Sequence, residues 1–174
     1  DAIAPAAKQL GLGQEFPLPF QSQRSGTIPD SGWKQKKYGQ EWSRSDTLNA
    51  VIGQGYVSVS PFQLAVMAAR IASGRMLEPE ILLKQRGAAQ HLPFPDEHLQ
   101  VVRDGMDLVV NGAGTAVRSR LDLPDVTMAG KTGTGEIPTP NGYTTGLTNA
   151  SFVGWGPADN PQFLVYVWLE KPQS

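Results

Sequence analysis

The last third of the chain holds two apolar stretches joined by a turn, and this arrangement constrains the fold more than any other feature. The stretches are NASFVGWG (149–156) and QFLVYVWLE (162–170), and both are rich in the β-branched and aromatic residues that strands favour. The five residues between them, PADNP, are typical of a tight turn. The pattern therefore predicts an antiparallel hairpin. A further strand is predicted over 127–134, and residues 135–148 are expected to form a long loop between that strand and the hairpin.

Helical patterns dominate the first two thirds. Serine followed by proline at 60–61 is a typical helix start, and the apolar run that follows ends at Gly74. Helices are also predicted over 1–10, closed by Gly11, and over 95–110, with a short helical turn over 115–118. Residues 11–50 are expected to be mostly loop, and a short strand is expected over 78–86. Helices followed by antiparallel strands predict an α/β fold of the α+β type, in which helices pack on an antiparallel sheet.

Composition excludes several classes of function. The chain has 174 residues, a formal net charge of −1 and 18% charged residues, so nothing indicates a nucleic-acid partner. It has no cysteine, which excludes disulfides and thiolate metal sites. His91 and His98 lack the spacing of metal ligands and are expected to be surface residues. The basic cluster at 34–37 is expected to be a solvated loop, and no apolar run reaches the ~18 residues that span a bilayer.

The stretch MAGKTGTGE, residues 128–136, has the appearance of a phosphate-binding loop but lacks its requirements. Asp125 stands where the first glycine of such a loop belongs, and the two prolines and two glycines within 134–142 cannot begin the helix that should follow. A Lys-Thr-Gly run at a strand edge suits a docking edge for an extended acyl or peptide substrate instead. Lys131 would supply a fixed charge, and Gly133 would allow close backbone approach. A solvated turn is the simpler alternative for so short a motif.

Four stretches taken together resemble the transpeptidase domain of penicillin-binding proteins. They are Ser45-Asp46-Thr47 leading into NAVIGQGYVSVSPFQLAVMAARIASG (49–74), VVNGAGTA (109–116), MAGKTGTGE (128–136) and NASFVGWGPADNPQFLVYVWLE (149–170). The resemblance covers nearly the whole chain. Residues 25–50 resemble most the elongation-type class B enzymes, penicillin-binding protein 2.

This resemblance implies a serine acyl-transfer mechanism that uses a Ser-x-x-Lys nucleophile, a Ser-x-Asn element and the Lys-Thr-Gly strand. Lys131 would tune the proton network near the serine of the second motif. The hydroxyls of Thr132 and Thr134 would hold the substrate carboxylate, and Gly133 would keep the edge open. The backbone N–H of Thr134 would be one of two oxyanion-hole donors, a role worth about 3 kcal/mol in comparable sites. No metal or cofactor is implied.

The sequence departs from the family pattern at its first two motifs. Ser31-Gly32-Trp33-Lys34 fits Ser-x-x-Lys by letters, but it is rejected as the nucleophile. In the family the nucleophile opens a buried helix and precedes the second motif, whereas this stretch is expected to lie in a loop that resembles a non-catalytic part of the family. No Ser-x-Asn occurs, and the nearest match is Thr47-Leu48-Asn49. Residues 1–174 are therefore expected to be the C-terminal part of a single transpeptidase domain, without those motifs and without the C-terminal helix. Such a chain alone is expected to be inactive.

The resemblance also implies partners and a location. The ligands would be D-Ala-D-Ala stem peptides and β-lactam antibiotics, and the partners would be the rest of the domain, a lipid-linked glycosyltransferase and elongation-complex proteins. The parent would be anchored in the bacterial inner membrane with this domain in the periplasm. Alternatives are a D,D-carboxypeptidase or β-lactamase-like hydrolase, a catalytically dead relative that binds β-lactam or peptidoglycan, and an unrelated hydrolase or nucleotide binder.

Overall fold

The computed structural model describes residues 2–20, 22–82, 88–139 and 142–170, with side chains left out for 138–139 and 142–147. The chain forms two compact units, one of residues 1–70 and 75–93 and the other of residues 71–74 and 94–174. The helices are α1 (Ile3–Gln9), α2 (Ser31–Tyr38), α3 (Arg44–Val51), α4 (Pro61–Ser73) and α5 (Asp96–Asn111). A 3₁₀ turn spans Val117–Ser119, and the strands are β1 (Ala129–Thr139), β2 (Gly142–Gly156) and β3 (Phe163–Leu169).

Helix α4 begins with a reciprocal cap. The Ser60 hydroxyl accepts the Gln63 N–H at 3.2 Å, and the Gln63 side-chain oxygen accepts the Ser60 N–H at 3.3 Å. The helix ends before Gly74, whose φ of +70° is the left-handed conformation common after a helix. The helix predicted from the Ser-Pro start is confirmed.

The expected loop at 11–50 is wrong over two segments, because α2 and α3 are both helices. Asp30 caps α2 by accepting the Trp33 N–H at 2.7 Å, and Gly39 ends it at φ +66°. Ser43 caps α3 and forms a capping box with Asp46. These caps are what specify helices only eight residues long, and the high content of polar residues and glycine obscures them.

The basic cluster at 34–37 is likewise helical rather than a loop. Lys34 is only 6% exposed, and its ammonium donates to the Asp46 carboxylate at 2.5 Å. Trp33 packs edge-on against Tyr38 at a ring distance of 5.6 Å and lies 5.3 Å from the ring of Tyr56. This cluster anchors α2 within the first unit.

The strand expected at 78–86 is wrong over the part that the structure describes. Residues 78–82 are not in a strand, and Ile81 and Leu82 are 55% and 70% exposed. Pro79 lacks the N–H that a sheet ladder requires, which explains the difference. Residues 83–86 lie outside the described part of the chain.

The second unit contains the sheet. Its described strands lie in the order β1-β2-β3, and both pairs are antiparallel. Lys131 lies opposite Val153, and Trp155 lies opposite Leu164. The predicted hairpin at 149–170 is confirmed, as is the α+β arrangement of helices packed on an antiparallel sheet.

The expected loop at 135–148 is wrong, because β1 continues to Thr139 and β2 begins at Gly142. The register between the two strands shifts between Glu136 and Pro138. An edge strand with such an irregularity tolerates proline, because the proline nitrogen need not donate to the ladder.

The core of the second unit lies where α5 and the end of α4 meet the sheet. Trp155 is 1% exposed and packs with Ala72 and Ala129. Met106 of α5 and Leu164 of β3 pack against this cluster. One end of β1 is therefore fixed against the helices, and the Lys-Thr-Gly run begins two residues further along the strand.

Candidate functional site

The residues predicted to form the site, Lys131 to Thr134, lie within β1, which is an edge strand of the described sheet. Lys131 and Thr134 are exposed, whereas Thr132 and Gly133 are half-buried. Because successive side chains of a strand point to opposite faces, Thr132 and Thr134 share one face and Lys131 lies on the other. The structure thus presents two hydroxyl residues side by side along one exposed edge.

Lys131 lies against its own strand. Its ammonium donates a hydrogen bond to the Thr132 carbonyl at 2.7 Å. No carboxylate pairs with this ammonium among the ion pairs of the described residues. The lysine therefore places a positive charge beside the Lys-Thr-Gly backbone.

Gly133 lies opposite Ser151 of β2. A Cβ atom at Gly133 would lie 2.5 Å from the Ser151 hydroxyl oxygen, which is closer than real Cβ atoms approach. The Ser151 hydroxyl also donates to the Gly133 carbonyl in a long contact of 3.5 Å. Glycine at position 133 therefore leaves room for the Ser151 side chain of β2.

Thr115 is a residue of this site that sequence reasoning missed. It follows α5 in the turn NGAGTA, and its hydroxyl oxygen lies 2.7 Å from the hydroxyl oxygen of Thr132. The sequence predicts only a short helical turn over 115–118 within the family-like stretch VVNGAGTA. A threonine after two closely spaced glycines was the available signal, but nothing in the sequence pairs it with residue 132.

The end of α5 is tied to the start of β1 by a second contact. The Asn111 side-chain amide donates to the Met128 carbonyl at 3.0 Å and to the Asp107 carboxylate at 2.8 Å. The Asn111 carbonyl in turn accepts from the Arg120 guanidinium at 2.7 Å. These bonds fix β1 just before the Lys-Thr-Gly run.

The Ser31-Gly32-Trp33-Lys34 stretch is helical and not a loop, since Ser31 is the first residue of α2. The loop expected at this stretch is therefore wrong, whereas the resemblance to a non-catalytic part of the family stays an expectation. The Lys34 ammonium is paired with Asp46, and the pKa of that carboxyl is lowered from 3.8 to about 2, chiefly by the bond from Lys34.

Within the described ranges, no group of three or more histidine, cysteine, aspartate or glutamate residues is arranged to hold a metal ion. No helix in the described part of the chain is long and apolar enough to cross a membrane. His91 and His98 are both exposed, as expected.

The described part of the chain thus combines helices packed on an antiparallel sheet with a Lys-Thr-Gly run on an edge strand. The model of the penicillin-binding protein transpeptidase domain matches residues 1–174. The chain therefore belongs to the family of penicillin-binding protein transpeptidase domains.

The particular relatives are of the penicillin-binding protein 2 type. The peptidoglycan D,D-transpeptidase MrdA of Haemophilus influenzae is 29% identical in an alignment 192 residues long, gaps included, that covers 98% of this chain and 30% of that protein. Penicillin-binding protein 2 of Pseudomonas aeruginosa, solved in complex with WCK 5153, is 30% identical with a TM-score of 0.78, covering 97% of this chain and 38% of that one. The complex of penicillin-binding protein 2 with MreC from Helicobacter pylori gives 26% identity and a TM-score of 0.81, covering 94% of this chain and 30% of that one. The expected family and subtype are confirmed, and the chain spans about a third of its relatives' length.

Proposed function

We propose that this chain supplies the Lys-Thr-Gly strand of a peptidoglycan D,D-transpeptidase that works through a serine acyl-enzyme. The observation that carries the proposal is the edge strand β1, on which Thr132 and Thr134 share one face, with the Lys131 ammonium bonded to the Thr132 carbonyl. The family match over the whole chain and the D,D-transpeptidase activity for which its MrdA relatives are named support it.

The proposed reaction is an acyl transfer in two steps. A serine oxygen attacks the carbonyl carbon of the D-Ala-D-Ala peptide bond, the C–N bond breaks, and the last D-Ala leaves with the proton taken from the serine. An amine of a second stem peptide then attacks the ester, forms the new amide and returns the proton to the serine. Atoms balance without an oxidant, a reductant or a metal.

In this proposal the residues of β1 bind and orient. Thr132 and Thr134 hydroxyls donate to the substrate carboxylate, and the Thr134 N–H donates to the oxyanion. Lys131 provides the electrostatic field for the proton transfers. Gly133 lets the substrate backbone lie along the strand, as in other cases where an extended peptide adds to a sheet edge.

The nucleophile of the proposed enzyme lies outside these 174 residues, which form the C-terminal part of one transpeptidase domain. The chain alone is then inactive, because it has the binding strand but not the attacking serine. The partners proposed are the rest of that domain, a lipid-linked glycosyltransferase and elongation-complex proteins, in keeping with the MreC complex of the H. pylori relative. The location proposed is the periplasmic face of the bacterial inner membrane.

The test is an intact-mass measurement, under denaturing conditions, of the full-length protein that carries this sequence after incubation with labelled benzylpenicillin. We expect one adduct, and peptide mapping should place it on a serine outside residues 1–174. The Ser31→Ala variant is the matched control and should acylate as the wild type does. An adduct on Ser31 would show that the nucleophile lies within this chain, contrary to the proposal. The absence of any adduct would overturn the proposed activity itself.

The products separate the proposed reaction from its hydrolytic alternatives. With stem peptides and an acceptor amine, a transpeptidase forms the cross-linked dimer as well as free D-Ala. A D,D-carboxypeptidase releases D-Ala without forming the dimer, and a β-lactamase-like hydrolase turns over benzylpenicillin without retaining the adduct.

A further inference from the structure

We propose that Thr115 is a positioning residue that orients the Thr132 hydroxyl toward an anionic ligand on β1. The inference rests on the proposed function, because it needs Thr132 to face the substrate carboxylate. Its observation is separate, however: a hydroxyl–hydroxyl hydrogen bond of 2.7 Å between two residues that are 17 positions apart.

Hydrogen bonds and close packing fix the conformation of the turn that carries Thr115. The Ala116 N–H donates to the Val109 carbonyl at 3.0 Å, and the Gly112 N–H donates to the Leu108 carbonyl at 3.0 Å, so the chain folds back on the end of α5. A Cβ atom on Gly114 would collide with the Val109 backbone, so only glycine allows this approach. Ala116, 4% exposed, holds the far side of the turn in the protein interior. Thr115, between these two fixed residues, is held with its hydroxyl on Thr132.

The chemistry of the two hydroxyls sets the direction of the bond. Each hydroxyl has one proton to donate and can accept two hydrogen bonds. A carboxylate only accepts hydrogen bonds, so a Thr132 hydroxyl that binds a carboxylate must donate its single proton to that ligand. Thr132 can then only accept from Thr115, which donates. The Thr115 hydroxyl thereby fixes the Thr132 rotor and strengthens its donation, because hydrogen bonds in a chain polarise one another.

Ligand charge is the discriminating readout. A residue that merely stabilises the fold affects all ligands alike, whereas a residue acting through Thr132 affects only ligands whose carboxylate Thr132 holds. Benzylpenicillin and its methyl ester differ at that group and share the reactive β-lactam carbonyl.

The experiment measures the second-order acylation rate constant of the full-length protein with both compounds, in the wild type and in Thr115→Val, which keeps the shape and removes the hydroxyl. We expect Thr115→Val to slow acylation by benzylpenicillin about three- to tenfold, the range of one lost hydrogen bond, and to change that of the ester less than about twofold. Thr115→Ser restores the hydroxyl and should bring the rate with benzylpenicillin back to within about twofold of the wild type.

A double-mutant cycle supplies the second test. If Thr115 acts only through Thr132, Thr115→Val should have no further effect on acylation in the Thr132→Val background. An equal loss for acid and ester, no rescue by serine, or an unchanged effect in the Thr132→Val background would each overturn the inference and leave the proposed function standing. A wild-type protein that benzylpenicillin does not acylate would overturn the proposed function and this inference with it.

Discussion

The Asp46 carboxylate accepts several hydrogen bonds within the first unit. One of its oxygens accepts from the Lys34 ammonium at 2.5 Å, from the Ser43 N–H at 2.7 Å and from the Ser43 hydroxyl at 2.6 Å. These donors favour the ionised form, and they lower the pKa of Asp46 from 3.8 to about 2, with the bond from Lys34 the largest cause.

A pH dependence of stability follows from this shift. Because the folded pKa lies below the unfolded one, the contribution of Asp46 is complete above pH about 4 and is lost as the pH falls toward 2. Asp46→Asn should therefore lower the stability at pH 6 and show a flatter decline than the wild type between pH 4 and 2. Urea unfolding of both proteins at a series of pH values measures the two slopes.

The matched control for this prediction is Asp30→Asn. Asp30 also caps a helix, by accepting the Trp33 N–H, but has no lysine partner among the ion pairs of the described residues. Parallel pH curves for Asp46→Asn and the wild type would contradict the assignment.

At the scale of single elements, β1 shows how closely glycine positions are specified. A Cβ atom at Gly130 would lie 2.6 Å from the Val153 carbonyl oxygen and 2.7 Å from the Phe152 ring, whereas a Cβ atom at Gly135 would meet no atom of the described residues within 4 Å. Gly130→Ala should destabilise the protein by about 1–3 kcal/mol, as overpacking typically does. Gly135→Ala should be neutral or stabilise by up to about 1 kcal/mol, because the unfolded chain loses freedom.

Thermal unfolding of the two alanine variants beside the wild type tests this contrast. Each variant adds one methyl group to the same strand, so the intrinsic preference for alanine over glycine is matched. Equal melting temperatures for the two variants would show that β1 shifts to accommodate the added atom at Gly130.

The sequence predicts the elements unequally, for physical reasons. The hairpin at 149–170 follows from two stretches rich in β-branched and aromatic residues on either side of a proline-bounded turn. The extension of β1 to Thr139 does not, because Pro138 signals a break everywhere except on an edge strand with a shifted register. The two short helices α2 and α3 were missed because their signals are single capping residues rather than apolar periodicity.

The sequence predicts the Lys-Thr-Gly strand of the candidate site, but it does not predict the contact between Thr115 and that strand. The Lys-Thr-Gly run is contiguous, so its residues are visible in the sequence, and their roles in catalysis stay predictions. The contact of Thr115 with Thr132 depends on how Gly114 packs on Val109, which is a matter of three-dimensional fit. No spacing rule in the sequence brings those two threonines together.

At the scale of the whole molecule, Gln63 joins parts of the first unit that are distant in sequence. Its side chain is 1% exposed, and its amide nitrogen lies 2.6 Å from the Gln14 carbonyl, 3.0 Å from that of Ser25 and 3.4 Å from that of Arg24. One amide group thus satisfies backbone acceptors in a segment that is 38–49 residues earlier in the chain.

Gln63→Met should destabilise the protein by about 1–3 kcal/mol, because the substitution keeps the volume but leaves these backbone carbonyls without their protein donor. Gln35→Met is the matched control, since Gln35 is exposed on α2, and its effect should stay within about 0.5 kcal/mol. Equilibrium unfolding in urea measures both. A small effect at Gln63 would mean that water replaces the amide.

The shared carboxylate of Asp46 has a consequence for recombination between homologues. Helices α2 and α3 have eight residues each, too few to be stable alone, and the cap of one is bonded to the lysine of the other. The two helices should therefore be inherited together from one parent, because exchanging either helix alone separates Lys34 from its partner Asp46. A chimaera whose crossover falls between residues 39 and 43 would combine a lysine and an aspartate selected in different backgrounds. Crossovers before residue 30 or after residue 55 keep the two helices together, so a recombination library of this family should recover functional chimaeras mainly with junctions at those outer positions.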